Sequence, residues 1–169
     1  MPDLDRWNDI MEGKGKARVW NIRDPHRPAD TLYVGRAGKG QSGKWGSPFP
    51  IDRPLSRETA LKIEERMPYL HEIGYAYEGA RLTREQSLQL YDEYLTWAVR
   101  NDRLDVRELV VETVEGFVVR DMVCFCAPQP CHGDALLKFA EAYAYYRNDE
   151  HEHERALEAA LYIHRGMVA

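Results

Sequence analysis

The chain has 169 residues, 44% of them apolar and 30% charged, which fits one domain with a real core and leaves no room for two large ones. Its net charge of -5 argues against a protein whose main task is coating nucleic acid, and a mean hydropathy of -0.59 with only short apolar runs argues against a membrane span. The opening residues Asp3, Asp5 and Arg6 are unlike a signal peptide, so a cytoplasmic setting is expected.

An N-terminal arm is expected to about Lys16, where Gly13 and Gly15 lie between lysines. The runs Ala17 to Ile22 and Thr31 to Gly35 are strand-length and rich in β-formers, and Arg23-Asp24-Pro25 begins the turn between them. From Gly35 to Gly46 five glycines fall within twelve residues, with Pro48 and Pro50 just beyond, so this stretch reads as an open loop. Ser56 caps a predicted helix running to about Met67, where Pro68 disturbs it and Gly74 follows. Thr83 and Gln86 have capping-box spacing, and Leu88, Tyr91, Leu95 and Ala98 share one helical face as far as about Arg100.

Valine density from Leu109 onward favours two short strands or a hairpin turning at Glu115-Gly116, followed by a buried strand Met122 to Cys126. A helix from Leu104 to Val114 competes with that assignment. A helix then starts near His132 or Gly133, with Leu136, Ala140 and Tyr143 on one face, and breaks at Asn148-Asp149. The last, Glu152 to His164, is expected to bury Leu157, Ala160 and Leu161 and to stop before Gly166. Trp20 and Trp97 are read as core, and Tyr143, Tyr145 and Tyr146 as residues that pack or lie at an interface rather than stack on bases. The mixed order of elements predicts a single α/β domain over 17–148, with 149–169 as a C-terminal helix packed on it or extending from it.

Two stretches could carry chemistry. Gly38 to Lys44 fits the first seven positions of a phosphate loop, but Trp45 stands where Mg²⁺ needs Ser or Thr, and Pro48 and Pro50 forbid the helix that should follow. An ATPase of that class is excluded. As an anion site, the loop would use Arg36, Lys39 or Lys44, with Trp45 and Phe49 as stacking or packing surfaces; a plain surface loop is the competing reading. The second stretch holds all three cysteines, Cys124, Cys126 and Cys131, within eight residues, followed by His132 and Asp134. Three readings stay open for it. Three thiolates and an imidazole could hold zinc, although an extended C-x-C would have to bend to converge on one ion. Cys126 or Cys131, near a helix N-terminus and beside His132, could be a reactive thiolate. Cys124 could simply be a small core residue, with His132 capping or pairing near the helix start.

Three segments resemble a domain family of bacteriophages and bacteria, the domain-of-unknown-function family 4326. They are Tyr33-Val34-Gly35-Arg36, Lys44-Trp45-Gly46-Ser47-Pro48-Phe49, and Cys124-Phe125-Cys126-Ala127-Pro128 with Pro130-Cys131-His132-Gly133-Asp134. The resemblance spans about Val19 to Leu137, with Ser47 standing where the family usually has Asn. It implies a site at one sheet edge where Gly35, Arg36, Lys44, Trp45, Gly46 and Ser47 meet a ligand, while Cys126, Cys131, His132 and Asp134 supply chemistry. The family's phage setting implies a role in nucleotide or nucleic-acid metabolism, or in altering a host. The expectation is therefore a Rossmann-like α/β enzyme of a bacterial or host cytoplasm, with a small, mostly parallel sheet flanked by helices. It would act on a nucleotide, a modified base or another small anion, without a membrane partner, either as a monomer or as a homo-oligomer. The alternative is a non-catalytic module in which Cys124, Cys126, Cys131 and His132 bind a structural zinc.

Overall fold

The computed structural model describes residues 17–36, 41, 43–67, 77–127 and 129–168. The arm to Lys16, the loop residues Gly38 and Lys39, and the breaks expected at Pro68 and Gly74 lie outside them.

The sheet is small and parallel. Strands β1 (Val19–Asn21) and β2 (Leu32–Tyr33) both pair with β5 (Met122–Cys124), which lies between them, with Val19 and Leu32 opposite Met122 and Asn21 opposite Cys124. A central parallel strand is covered on both faces, which is why Met122, Val123 and Cys124 are all buried. The segment between β1 and β2 makes turns around Asp24, whose carboxylate accepts from the His26 N–H at 2.8 Å, and leaves the slot that β5 fills.

Helix α1 (Arg57–Arg66) begins at Ser56, whose hydroxyl accepts from the Thr59 N–H, and α2 (Arg84–Arg100) begins at Thr83 with both bonds of the capping box formed to Gln86. On α2, Tyr91, Leu95 and Ala98 are buried as the spacing predicts, whereas Leu88 is half-buried and faces a cavity. The hairpin expected after Leu109 is present as β3 (Val110–Thr113) and β4 (Gly116–Val119), and the competing helix is reduced to a 3-10 turn at Val106–Leu109. Asn148 ties this hairpin to the helical layer: its side chain accepts from the Phe117 N–H at 2.6 Å and donates to the Phe117 carbonyl at 2.9 Å.

Helices α3 (His132–Asn148) and α4 (His153–Val168) pack against each other, and α4 also touches α2. The last helix runs past Gly166, a correction to the sequence reading: a glycine inside a helix costs about 1 kcal/mol relative to alanine, too little to end a packed helix. Trp20 and Trp97 are only partly buried, because each lies at the margin of the core: Trp20 carries the Arg18 guanidinium 4.6 Å above its ring, and Trp97 stacks on Tyr94. Tyr143 and Tyr145 pack as expected, and Tyr146 is partly buried against the core. No helix among the described residues is long and apolar enough to cross a membrane.

The α2–α4 contact contains a titrating pair, the buried His164 and the half-buried Asp92. His164 Nε2 donates to the Asp92 carbonyl at 3.2 Å and lies 3.7 Å from its carboxylate. Burial lifts the Asp92 carboxyl from 3.8 to about 6, with Glu93 adding to the rise and Lys138 opposing it. The folded chain thus holds this proton where the unfolded chain has lost it, so the stabilising contribution is full below pH 3.8 and disappears as pH rises through about 6. His164 runs the other way: burial lowers its pKa, so its contribution is complete above 6.5 and is lost as pH falls towards the folded value. Asp92→Asn is expected to raise the unfolding free energy by about 1 kcal/mol near pH ~7.5 and to change little near pH ~3.5, as read by urea unfolding at the two pH values.

Candidate functional site

The carboxyl ends of β2 and β5 open into a cavity of about 430 Å³. This is where parallel sheets usually take ligands, because the backbone there leaves the ladder and the following helix presents its N-terminus. Gly35, Arg36 and Ser47 line it from one side, Cys124, Phe125, Cys126, Cys131 and His132 from another, and Arg84, Ser87 and Leu88 from the start of α2; Ile51, Asp52 and Arg53 complete the wall.

The Gly35 loop and the Lys44-to-Phe49 loop touch backbone to backbone. A Cβ on Gly46 would lie 2.7 Å from the Gly35 carbonyl oxygen and 2.9 Å from the Arg36 Cα, so only glycine fits. Arg36 fastens the same two loops, donating through Nε to the Ser47 carbonyl (3.2 Å) and through Nη2 to the Phe49 carbonyl (2.7 Å). From α2, Ser87 Oγ donates to the Phe49 carbonyl and Tyr91 OH to the Trp45 carbonyl, at 2.7 and 2.8 Å. Trp45 and Phe49 are the apolar feet of this loop, with 2% and 0% of their surface exposed. Trp45 is therefore not a stacking platform for a ligand, a correction to the sequence reading: its indole is used up by the core. Lys44 also lies off the cavity wall and forms a surface ion pair with Glu108, and Gly46 is a spacer between backbones.

The second loop is held as firmly. Asn21, at the end of β1, donates through Nδ2 to the carbonyls of Phe125 (3.1 Å) and Ala127 (2.7 Å). Arg84 donates to the Pro130 carbonyl (2.9 Å) and to Gln129 Oε1 (2.8 Å). Cys131 is the N-cap residue of α3, and Asp134 accepts from its N–H at 2.9 Å. This gives the exposed Asp134 a capping role away from the cavity wall.

His132 is buried, with its ring 4.8 Å from that of Tyr91 and its Nε2 bonded to the Val34 carbonyl. A carbonyl only accepts, so Nε2 carries the proton. Burial lowers the His132 pKa, although the Val34 bond opposes this, and the neutral ring pins the end of β2 to the start of α3. Its ε-nitrogen cannot take a proton from Cys131 while held this way.

Two of the three thiols meet. Cys124 Sγ lies 3.2 Å from Cys131 Sγ, and both residues are buried. The Cys131 pKa is lowered, chiefly by the hydrogen bond with Cys124; the Gly133 N–H adds to this, while burial and Asp134 oppose it. Cys126 is pushed well above its usual range by its hydrogen bond to Cys124 and by burial, with Arg84 opposing. The Cys124 pKa is raised: the bond with Cys126 lowers it, but the bond with Cys131 and burial outweigh that. Of the three thiols, Cys131 is the one whose pKa is lowered, and it sits at the N-terminus of α3, where a thiolate is favoured. Gly133 permits this closeness, since a Cβ there would lie 3.2 Å from Cys131 Sγ and 3.1 Å from Val19.

Among the described residues, no three His, Cys, Asp or Glu side chains converge as metal ligands would. Within the set Cys124, Cys126, Cys131 and His132, Cys124 and Cys131 are in contact and His132 Nε2 is held by the Val34 carbonyl.

Sequence reasoning missed Arg84, Arg53, Ser87 and Ile51. Arg84 was legible only as the first residue of a helix; nothing in its local spacing links it to Pro130. No curated protein and no solved structure is matched by the chain. A family model does match, over residues 19–142, and the segments that carry the match supply both loops of the cavity and the thiols between them; the chain is thus a member of the family described as Domain of unknown function (DUF4326).

Proposed function

We propose that the chain is an enzyme that binds a small anionic ligand of nucleotide type in this cavity and reacts with it through the thiolate of Cys131. The observation that carries the reading is the wall itself: three guanidinium groups, Arg36, Arg53 and Arg84, against a single carboxylate, Asp52, around a buried thiol whose pKa is lowered. Guanidinium groups suit phosphate because their planar donors match its oxygens. Phe125, 48% exposed on the same wall and edge-on to Tyr33, offers a flat apolar surface for a ring, with Ile51 and Leu88 nearby. The volume suits a small molecule rather than a polymer.

In the reaction proposed, Cys131 Sγ forms a bond to an electrophilic carbon of the ligand while the displaced group leaves with the bonding electron pair. Water then cleaves the sulfur–carbon bond, adding hydroxyl to the ligand carbon and returning the thiol. Arg84, which touches Cys126 and holds the loop before Cys131, keeps the nucleophile in register with the anion.

Calorimetric titration with AMP and with inorganic phosphate tests the binding step. Both are expected to bind, AMP more tightly through Phe125, and Arg53→Met is expected to weaken each by about tenfold. Failure of both to bind, or binding indifferent to Arg53→Met, overturns the reading.

A further inference from the structure

We propose that Cys124 and Cys131 are a reversible disulfide pair, closed by a hydroperoxide that enters through the cavity. The two sulfurs lie 3.2 Å apart, so bond formation requires them to approach by about 1 Å. The fold imposes this closeness. Cys124 is the last residue of the central strand, Cys131 is the N-cap of α3, and the loop between them is tied down by Asn21 and Arg84 from two other elements. Both sulfurs are shielded from bulk solvent, yet both residues line the cavity, so a small oxidant reaches them while a large one does not.

The chemistry balances with one hydroperoxide. The Cys131 thiolate attacks the distal peroxide oxygen, the O–O bond breaks, and the alcohol or water leaves with the proton supplied by solvent; Cys131 becomes a sulfenic acid. Cys124 sulfur then displaces hydroxide from that sulfenic acid, its own proton completes a water molecule, and the disulfide forms. Two electrons have passed from the thiols to the peroxide, and an external dithiol returns them. Cys126, only partly buried, is the competing partner. Closing the pair removes the thiolate of the proposed reaction, so the regulatory consequence rests on that reading of Cys131. The bond itself does not.

The test uses the full chain and its Cys126→Ser variant. After brief exposure to hydrogen peroxide, the intact mass of both is expected to fall by two hydrogen atoms and to return with dithiothreitol. Cleavage after Phe125 by chymotrypsin separates Cys124 from Cys126 and Cys131, and in the variant the two fragments are expected to stay joined until reduced. Sulfinic acid at Cys131 with a free Cys124, or a crosslink that disappears in Cys126→Ser, overturns the proposal. These readouts need no ligand, so they fail or succeed separately from AMP and phosphate binding.

Discussion

Gly46→Ala is expected to lower the unfolding free energy by about 2–4 kcal/mol and to abolish phosphate binding in the fraction that still folds. The added methyl would stand 2.7 Å from the Gly35 carbonyl oxygen and 2.9 Å from the Arg36 Cα, and neither is the end of a flexible side chain. Relief requires the two loops to part. Arg36 bonds the residue after Gly46 and Tyr91 bonds the residue before it, so parting them strains both bonds and lifts Trp45 from the core. Gly79→Ala is the control that separates crowding from backbone conformation. Gly79 has φ +83° and nothing within 4 Å of a Cβ, so its substitution is expected to cost only about 1 kcal/mol, the penalty for a left-handed backbone. Urea midpoints of the two variants at one pH decide the matter: equal costs would mean that the loops do not bear on each other at Gly46.

The second large effect concerns reactivity. Iodoacetamide is expected to alkylate Cys131 at least about tenfold faster than Cys126 near neutral pH, with the rate rising through a midpoint below the ordinary thiol range. Exposure alone predicts the opposite order, since Cys126 is partly exposed and Cys131 is 4% exposed. The hydrogen bonds with Cys124 and the Gly133 N–H lower the Cys131 pKa, whereas that of Cys126 is raised, which favours the thiolate of Cys131. Cys124→Ala removes that partner, so the midpoint is expected to move up, while Cys131→Ala removes the fast phase entirely. Peptide mapping of the labelled chain against pH gives both results, and dominant labelling at Cys126 would refute the charge assignment.

The sequence was most informative where the physics is local. The Thr83–Gln86 box, the Ser56 cap and the turn near Glu115-Gly116 depend on neighbours within a few residues, and all three form. The α/β class followed from alternating element types, and the parallel sheet bears it out. Errors cluster where burial is decided by partners far along the chain. Trp45 sits in a polar, glycine-rich stretch that looks exposed, yet Tyr91, 46 residues on, fixes its backbone and the core takes its ring. Leu88 has the spacing of a core residue but lies where α2 borders the cavity. The cysteines were visible as a cluster. The contact between Cys124 and Cys131 was not, because it depends on where β5 ends relative to the start of α3.

Strands β1 and β2 have no bonds to each other; each is completed only by β5, about a hundred residues later in the chain. Synthesis therefore delivers two edge strands first and withholds their shared partner until residue 124 has emerged. Contacts this distant in sequence slow folding, because a long loop must close before any bond of the parallel ladder forms. The same closure lets Asn21 grip the loop between Cys124 and Cys131. A nascent or truncated chain ending before β5 would keep the β3–β4 hairpin but have no parallel sheet and none of the three cysteines, so the parallel sheet and the candidate site are completed together, late in the chain.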